Sequence, residues 1–385
     1  MQFVKAVHFF SWCQRDPVFK SFLDIFLKEH GLESSDEYLL HILSVYTRKF
    51  DELKTPFMLH VPDEHKPVQD FLRQFSLIPK EFKRLNDFLS IREKPLYEIE
   101  PDTFVFLNLN FFIDKFFQGI QFSFAKALIK NKATYKGKEI KKYDQFKSIY
   151  STQFSEKILF NPVIKYLFEK CGYILKDGES MKAILRDSEP DYYIRDKAKV
   201  YLIEFKDVLI DAETKYSFDF SKIKAKLIQK FVANEDGRPK GVSQLVNTIQ
   251  NLGTTEFKKI DSIPENAIIY PIIVYTDFSL NIAGINFVLN NEFRRLLKER
   301  SVNDGNIKNL TMIHFDTLVK YQDLFREKKV KINNLLNEYY ESTYQTSMEI
   351  NKLTPFDKYI NGKTENMEGR IPKMVFAEAR KLLEQ

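Results

Sequence analysis

PDYYIRDKAKVYLIEFK, residues Pro190–Lys206, is the stretch on which the fold turns. Its second half runs on as KVYLIEFKDVLI over Lys199–Ile210 and is the strongest strand signal in the chain. A shorter strand is expected over Asp191–Arg195, and the two join near Lys197-Ala198 as a hairpin. Setting Asp196 opposite Lys199 and counting outward pairs Arg195 with Val200, Tyr193 with Leu202, and Asp191 with Glu204. Directly opposed residues hold their Cβ atoms roughly 4.5–5.5 Å apart. Glu204 and Lys206 are two apart, so they share one face of the sheet while Phe205 points to the other. Burying two carboxylates and an ammonium in so apolar a strand costs roughly several kcal/mol unless they pair or coordinate an ion. A divalent cation between Asp191 and Glu204 removes their repulsion, and hard Mg²⁺ prefers oxygen ligands while keeping waters for a reaction. Such a water, oriented by Lys206, has the chemistry to attack a phosphodiester, and the lysine offsets charge developing on the phosphate. The bland reading of the same residues is a structural ion-pair cluster at a sheet edge.

Outward from this hairpin the pattern is mixed. Phe154–Cys171 predicts an amphipathic helix stopped by Gly172, with Pro162 kinking or splitting it. Tyr173–Leu175 reads as a short strand, and Tyr192, Tyr193 and Tyr201 read as strand packing. Asp211–Lys240 is a polar, Lys-rich excursion in which Ser221–Val232 can sort basic and apolar residues onto two helix faces. A helix over Val242–Leu252, a buried strand over Ala267–Tyr275 despite Pro271, a helix over Phe287–Arg300 and a strand over Leu310–Phe315 complete an α/β order. Residues 1–148 predict an all-α N-terminal domain for regulation, partner binding or nucleic-acid binding. Val18, Phe22, Ile25 and Phe26 recur at helical spacing, as do Leu39, Leu40, Ile42, Leu43 and Tyr46, and Val105–Ile129 reads as a long aromatic-rich helix. Lys130–Lys142, KNKATYKGKEIKK, reads as a basic linker. The expected organisation is therefore 1–148 helical, 149–320 mixed α/β, and 321–385 a helical C-terminal extension.

Composition narrows the function classes. In 385 residues, 44% are hydrophobic and 29% charged, which excludes disorder as the dominant state, and 12 Gly with 14 Pro exclude a collagen-like chain. Lys and Arg total 59 against 53 acidic residues, a net charge of +6 that permits a polyanionic partner without demanding one. Cys13 and Cys171 cannot build a disulfide framework and read as reduced, buried thiols of a cytoplasmic protein. The most apolar stretch, Ala267–Tyr275, is far short of the ~20 residues a membrane span needs, so no membrane association is expected. Met1–Asp16 reads as a helix of the mature protein rather than a signal peptide. His8, His30, His41, His60 and His65 show no H-x3-H or H-E-x-x-H spacing, so no zinc site is predicted.

Pro190-Asp191 followed by Glu204-Phe205-Lys206 resembles the PD-(D/E)xK phosphodiesterase superfamily, whose fold is restriction-endonuclease-like, over about residues 150–320. The resemblance implies that Asp191 and Glu204, with the backbone carbonyl of Phe205, bind Mg²⁺ (Mn²⁺ as a substitute), and that Lys206 is the catalytic lysine. It implies a further Glu on the preceding helix, for which Glu156 is the natural candidate and Glu169 the weaker one. It also implies a Gln on the helix after the lysine strand, here Gln244, with Lys240 just before it. The bare pattern recurs at Pro62-Asp63 and Pro101-Asp102, and in E-x-K triplets starting at Glu52, Glu64, Glu81, Glu139, Glu213, Glu256 and Glu327. Context separates them: only Glu204-Lys206 sits inside an apolar strand after a hairpin whose register aligns the upstream Asp.

Lys222, Lys224, Lys226, Lys230, Arg238 and Lys240 lie in the excursion and are expected to track a phosphate backbone, with the Lys130–Lys142 segment as a second basic patch. No helix-turn-helix, zinc-finger or RNP signature supplies base readout, so sequence specificity is not expected. The resemblance favours DNA over RNA. The leading expectation is a Mg²⁺-dependent DNA endonuclease, by analogy an effector of bacterial anti-phage defence or restriction, working as a homodimer or in a larger defence complex. The alternatives are a non-catalytic nucleic-acid-binding or scaffolding protein on the same fold, and a helical interaction protein whose α/β part is only structural.

Overall fold

The computed structural model describes residues 1–47, 58–79, 89–186, 188–215, 217–369 and 371–384. The Glu52-x-Lys54 and Glu81-x-Lys83 triplets lie outside the described residues. The chain divides into two compact units, Met1–Phe154 with Met374–Gln385, and Ser155–Lys373.

The first unit opens on the helices Gln2–Arg15, Pro17–His30 and Ser35–Thr47. Asp16 starts the second of them: its carboxylate accepts from the backbone N–H groups of Val18 and Phe19, and Pro17 supplies the fixed φ of a first helical residue. Gly31, at φ 65°, stops it in the left-handed region. The core is aromatic; Phe124 meets Phe26 at 4.7 Å between ring centroids and Phe9 at 5.1 Å.

The expectation of an all-α first domain is corrected by a three-stranded antiparallel sheet, order β1-β3-β2, from β1 (Met58–His60), β2 (Leu96–Glu100) and β3 (Thr103–Phe106). Val105–Ile129 is accordingly not one helix. Thr103-Phe104-Val105-Phe106 is β-branched and aromatic and packs as a strand. Asn108 then caps a short helix, Leu109–Ile113, by accepting from Phe111 N–H at 3.1 Å, and a tight turn over Asp114–Phe116 leads into the helix Gln118–Lys130. Lys130–Lys142 is not a linker either. It forms a hairpin of β4 (Thr134–Tyr135) and β5 (Lys138–Glu139), turned at Lys136 and Gly137 with φ 49° and 74°. Positive φ at both central residues is what a tight two-residue hairpin turn requires.

The second unit is built on a five-stranded mixed sheet, order β10-β9-β8-β7-β6. Its strands are β6 (Ile174–Asp177), β7 (Tyr192–Asp196), β8 (Lys199–Lys206), β9 (Ile268–Tyr275) and β10 (Thr311–His314). β6–β7 and β7–β8 are antiparallel; β8–β9 and β9–β10 are parallel. The hairpin register is the one counted from the sequence, with Asp196 opposite Lys199, Arg195 opposite Val200 and Tyr193 opposite Leu202. β8 is the central strand and is buried on both faces between its ends, which is why it reads as a continuous apolar run. Pro271 is tolerated in β9 because the β10 ladder starts one residue later, at Ile272.

Helices Gly241–Asn251 and Ile285–Glu299 provide the crossovers of the parallel half. Val200, Leu202, Leu245, Val246, Ile273, Leu289 and Phe293 meet in the core between them and the sheet. Tyr193 and Tyr201 are fully buried, as expected of packing residues; Tyr201 stacks on Tyr270 and Tyr193 donates to Asp261 Oδ2 at 2.6 Å.

Several boundaries differ from the sequence reading. β8 ends at Lys206 rather than Ile210, because the Asp207 carboxylate is taken up by Ser155 Oγ and Thr276 Oγ1, each at 2.6 Å. The helix expected over Phe154–Cys171 is split: π-helical geometry holds over Ser151–Phe160, an α-helix follows over Asn161–Phe168 with Pro162 in its first turn, and Gly172 at φ 74° ends a last tight turn. A helix over Gly178–Leu185, started by the Asp177 side chain, has no counterpart in the sequence reading. Residues 321–373 are not a separate extension. The helix Ile332–Tyr344 buries Leu335, Leu336, Tyr339 and Tyr340, and Tyr340 shares a 3.0 Å hydrogen bond with Thr311 of β10. Cys13 is buried and Cys171 half-buried, both as free thiols. Among the described residues no helix is long and apolar enough to cross a membrane.

Candidate functional site

The site forms where β8 ends. Asp191 leaves the ladder one residue before β7 begins, and its Oδ2 accepts from the backbone N–H of Phe205 at 2.6 Å. Lys206 Nζ donates to Glu204 Oε2 at 2.7 Å and lies 3.6 Å from Asp191 Oδ2. One ammonium thus bridges the two carboxylates that the hairpin register placed opposite each other. Glu204 is fully buried, and its second oxygen, Oε1, has no hydrogen-bond partner. Leaving a buried acceptor unsatisfied costs about 1–3 kcal/mol.

Electrostatics divide the roles. Burial, reinforced by the charge of Asp191, pushes the Glu204 carboxyl up to about 8, against the opposing pull of Lys206. Burial also disfavours the charge on Lys206, but Glu204 and Asp191 outweigh it and hold the ammonium above the ordinary lysine range. At neutral pH Lys206 is therefore charged and Glu204 carries a proton beside it. A divalent cation would replace that proton.

Two glycines that the sequence reading passed over shape the site. A Cβ on Gly178 would come within 3.1 Å of Pro190 O and 3.4 Å of Asp191 Cα, and Gly178 N–H donates to Asp191 O at 2.9 Å. A Cβ on Gly241 would come within 3.2 Å of Lys206 Cε and 3.2 Å of Ile273 Cδ1. The one local signal is a glycine opening a helix where a stronger helix former would serve. Gly241→Ala must therefore push the lysine stem by a few tenths of an ångström.

Glu156 sits half-buried in the π-helical segment, where burial first, and Asp191 second, raise its pKa while Lys206 lowers it. It feels the cluster electrostatically. Glu169 is instead ion-paired to Arg326 at 2.6 Å. Gln244 lies on the Gly241–Asn251 helix, and its Oε1 is a second buried acceptor without a partner. It lines a cavity of about 420 Å³ together with Lys206, Val208, Gln229, Lys230, Asn234, Pro239 and Lys240. Of the six basic residues expected to face phosphate, the structure brings Lys230 and Lys240 to this cavity. Lys226 is paired with Asp211 at 3.2 Å, and Lys222, Lys224 and Arg238 are exposed away from the lining. The expected single basic patch is thus divided, because the helix Phe220–Phe231 turns Leu227 and Phe231 into the core and its lysines outward in several directions.

Among the described residues no three His, Cys, Asp or Glu side chains converge on one point as a metal cluster. The donor set implied by the resemblance is smaller: two carboxylates, Asp191 and Glu204, and the carbonyl of Phe205. All are oxygens, the ligand type of a hard divalent ion, and the orphaned Glu204 Oε1 is the atom such an ion would satisfy. The residues present fit the ion. No family model, no curated protein and no solved structure matches the chain.

Proposed function

We propose that the second unit is a metal-dependent nuclease of restriction-endonuclease-like architecture that hydrolyses DNA phosphodiester bonds. The observation that carries this reading is Lys206 bridging Asp191 and the fully buried, half-satisfied Glu204 at the edge of a basic cavity. A purely structural pair gains little from such burial, since apolar replacements of buried ion pairs are often neutral or stabilising. Asp191, Glu204 and the Phe205 carbonyl would hold Mg²⁺, or Mn²⁺ in its place. That ion supplies Lewis-acid activation of the phosphate and a more acidic water.

The chain's own residues do the rest. Lys206 keeps its charge at every working pH and offers it to charge developing on the phosphate. Gln244 presents an amide oxygen that can orient a water at the cavity wall. Glu156 adds a third carboxylate within electrostatic reach. Lys230 and Lys240 hold backbone phosphates by charge, which gives affinity without base readout. By analogy of architecture, the protein acts as an effector of anti-phage defence or restriction, as a homodimer or within a larger complex.

A second reading has its own observation: Lys206 already neutralises the carboxylates, as it would in a non-catalytic protein on the same fold. The two readings part on substrate binding and cleavage. Under the nuclease reading, Lys230→Ala with Lys240→Ala weakens DNA binding and lowers the slope of log affinity against log salt by about 2, leaving the rate at saturating DNA within about threefold. Fluorescence anisotropy across a salt series checks this, and an unchanged slope would remove the cavity from the substrate path.

A further inference from the structure

The first unit holds a cavity of about 560 Å³ whose wall includes one face of the helix Gln118–Lys130, the end of the helix Leu89–Glu93, and Phe75. That is the size of a small-molecule pocket, roughly 300–1,000 Å³. Lys115 lines it and is only 8% exposed. Its Nζ lies 5.4 Å from the Phe75 ring centroid, and among the described residues it makes no ion pair or hydrogen bond. Three other lining cations are matched: Arg92 with Asp114 at 3.6 Å, Lys126 with Glu93, and Lys130 with Glu29 at 2.6 Å.

The surroundings fit this lysine closely. Gly119 stands where a Cβ would come within 3.0 Å of Lys115 Cδ, so the glycine makes room for the stem. Tyr38 OH donates to the backbone carbonyl of Lys115 at 2.8 Å and fixes the turn that carries it. A buried, unpaired ammonium is costly, and an anion beside it removes the cost. The rings of Phe75 and Phe122 offer the same cavity apolar surface. We infer that this cavity binds a small organic anion, its charged head paired with Lys115 and its apolar body against Phe75 and Phe122. Burial holds the lysine down to about 8, against the opposing pull of the Glu93 and Asp114 carboxylates.

The test uses the full chain and two fluorescent probes of like shape: anilinonaphthalene sulfonate, an anion, and phenylnaphthylamine, which is neutral. The sulfonate is expected to bind the wild type at one site. Lys115→Met should weaken it by about tenfold or more and leave the neutral probe unchanged, which also shows the cavity intact. Lys115→Arg should retain the sulfonate within about threefold, and Ser123→Trp, which fills the cavity from its wall, should block both probes. The inference is overturned if the wild type does not bind the sulfonate, if Lys115→Met binds it as tightly as the wild type, or if Ser123→Trp binds both probes unchanged. Should Lys115→Met fail to fold, the contrast of Lys115→Arg with Ser123→Trp decides the matter.

Discussion

Lys206→Met is expected to lower metal-dependent DNA cleavage by about 10³-fold, and Asp191→Ala by at least as much. Methionine keeps a stem of similar length to pack beneath Gly241, where a Cβ would already stand 3.2 Å from Lys206 Cε, while removing the charge. Two functions go with that charge: the bridge between Glu204 and Asp191 and, in the proposed reaction, the stabilisation of charge developing on the phosphate. Asp191→Ala removes an implied ligand and also the acceptor of the Phe205 N–H, so part of its effect comes from the freed end of β8. Plasmid nicking with Mg²⁺ or Mn²⁺ reads both variants. Cleavage by Lys206→Met within threefold of the wild type would remove the lysine from the chemistry.

The second large effect concerns pH. Glu204 has a folded pKa of about 8, far above that of an ordinary carboxylate. A raised folded pKa means that the protein binds the proton more tightly than the unfolded chain does. Its contribution is therefore fully present below the ordinary glutamate value and is lost as pH rises through about 8. Without metal, the wild type should lose up to about 4 kcal/mol of stability between about pH 5 and pH 9 from this group. The raised Lys206 pKa adds stability that does not change over this range. Glu204→Gln keeps an acceptor for Lys206 and cannot ionise. It should melt with the wild type near pH 5 and above it near pH 9. Mn²⁺ should reverse the order, stabilising the wild type increasingly from about pH 6 to pH 8 as the proton is displaced, and leaving Glu204→Gln unmoved. Parallel melting curves at all pH values would mean that Glu204 is not held protonated, and the electrostatic account of the site would fail.

What the sequence carried and what it hid follow from range. The β7–β8 hairpin was legible because its turn at Lys197, φ 55°, fixes the register and the side-chain period is two. Asp191, Glu204 and Lys206 could be placed on that count alone. β3 was hidden because Phe and Val fit a strand as well as a buried helix, and what decides is the pairing of Val105 with Tyr97 across a hairpin and with Met58, distant in sequence. Lys230 and Lys240 reach the cavity through an irregular return held by Lys240 N–H to Val232 O and Asn234 N–H to Arg238 O, which no periodicity announces. Gly178 and Gly241 matter only through the residues they abut. Lys115 gave no signal because a lysine in an aromatic, helical pattern reads as a solvated position.

In the proposed site Asp191 and Glu204 would hold a divalent ion beside Lys206. Diffraction from crystals grown with Mn²⁺, measured at a wavelength where manganese scatters anomalously, tests it most directly. We expect an anomalous peak within coordinating distance of both carboxylates, and no such peak in Asp191→Ala. A well-ordered protein in Mn²⁺ with no peak there, and with Lys206 still closing the gap between the two carboxylates, would contradict it and leave the cluster as a structural ion pair.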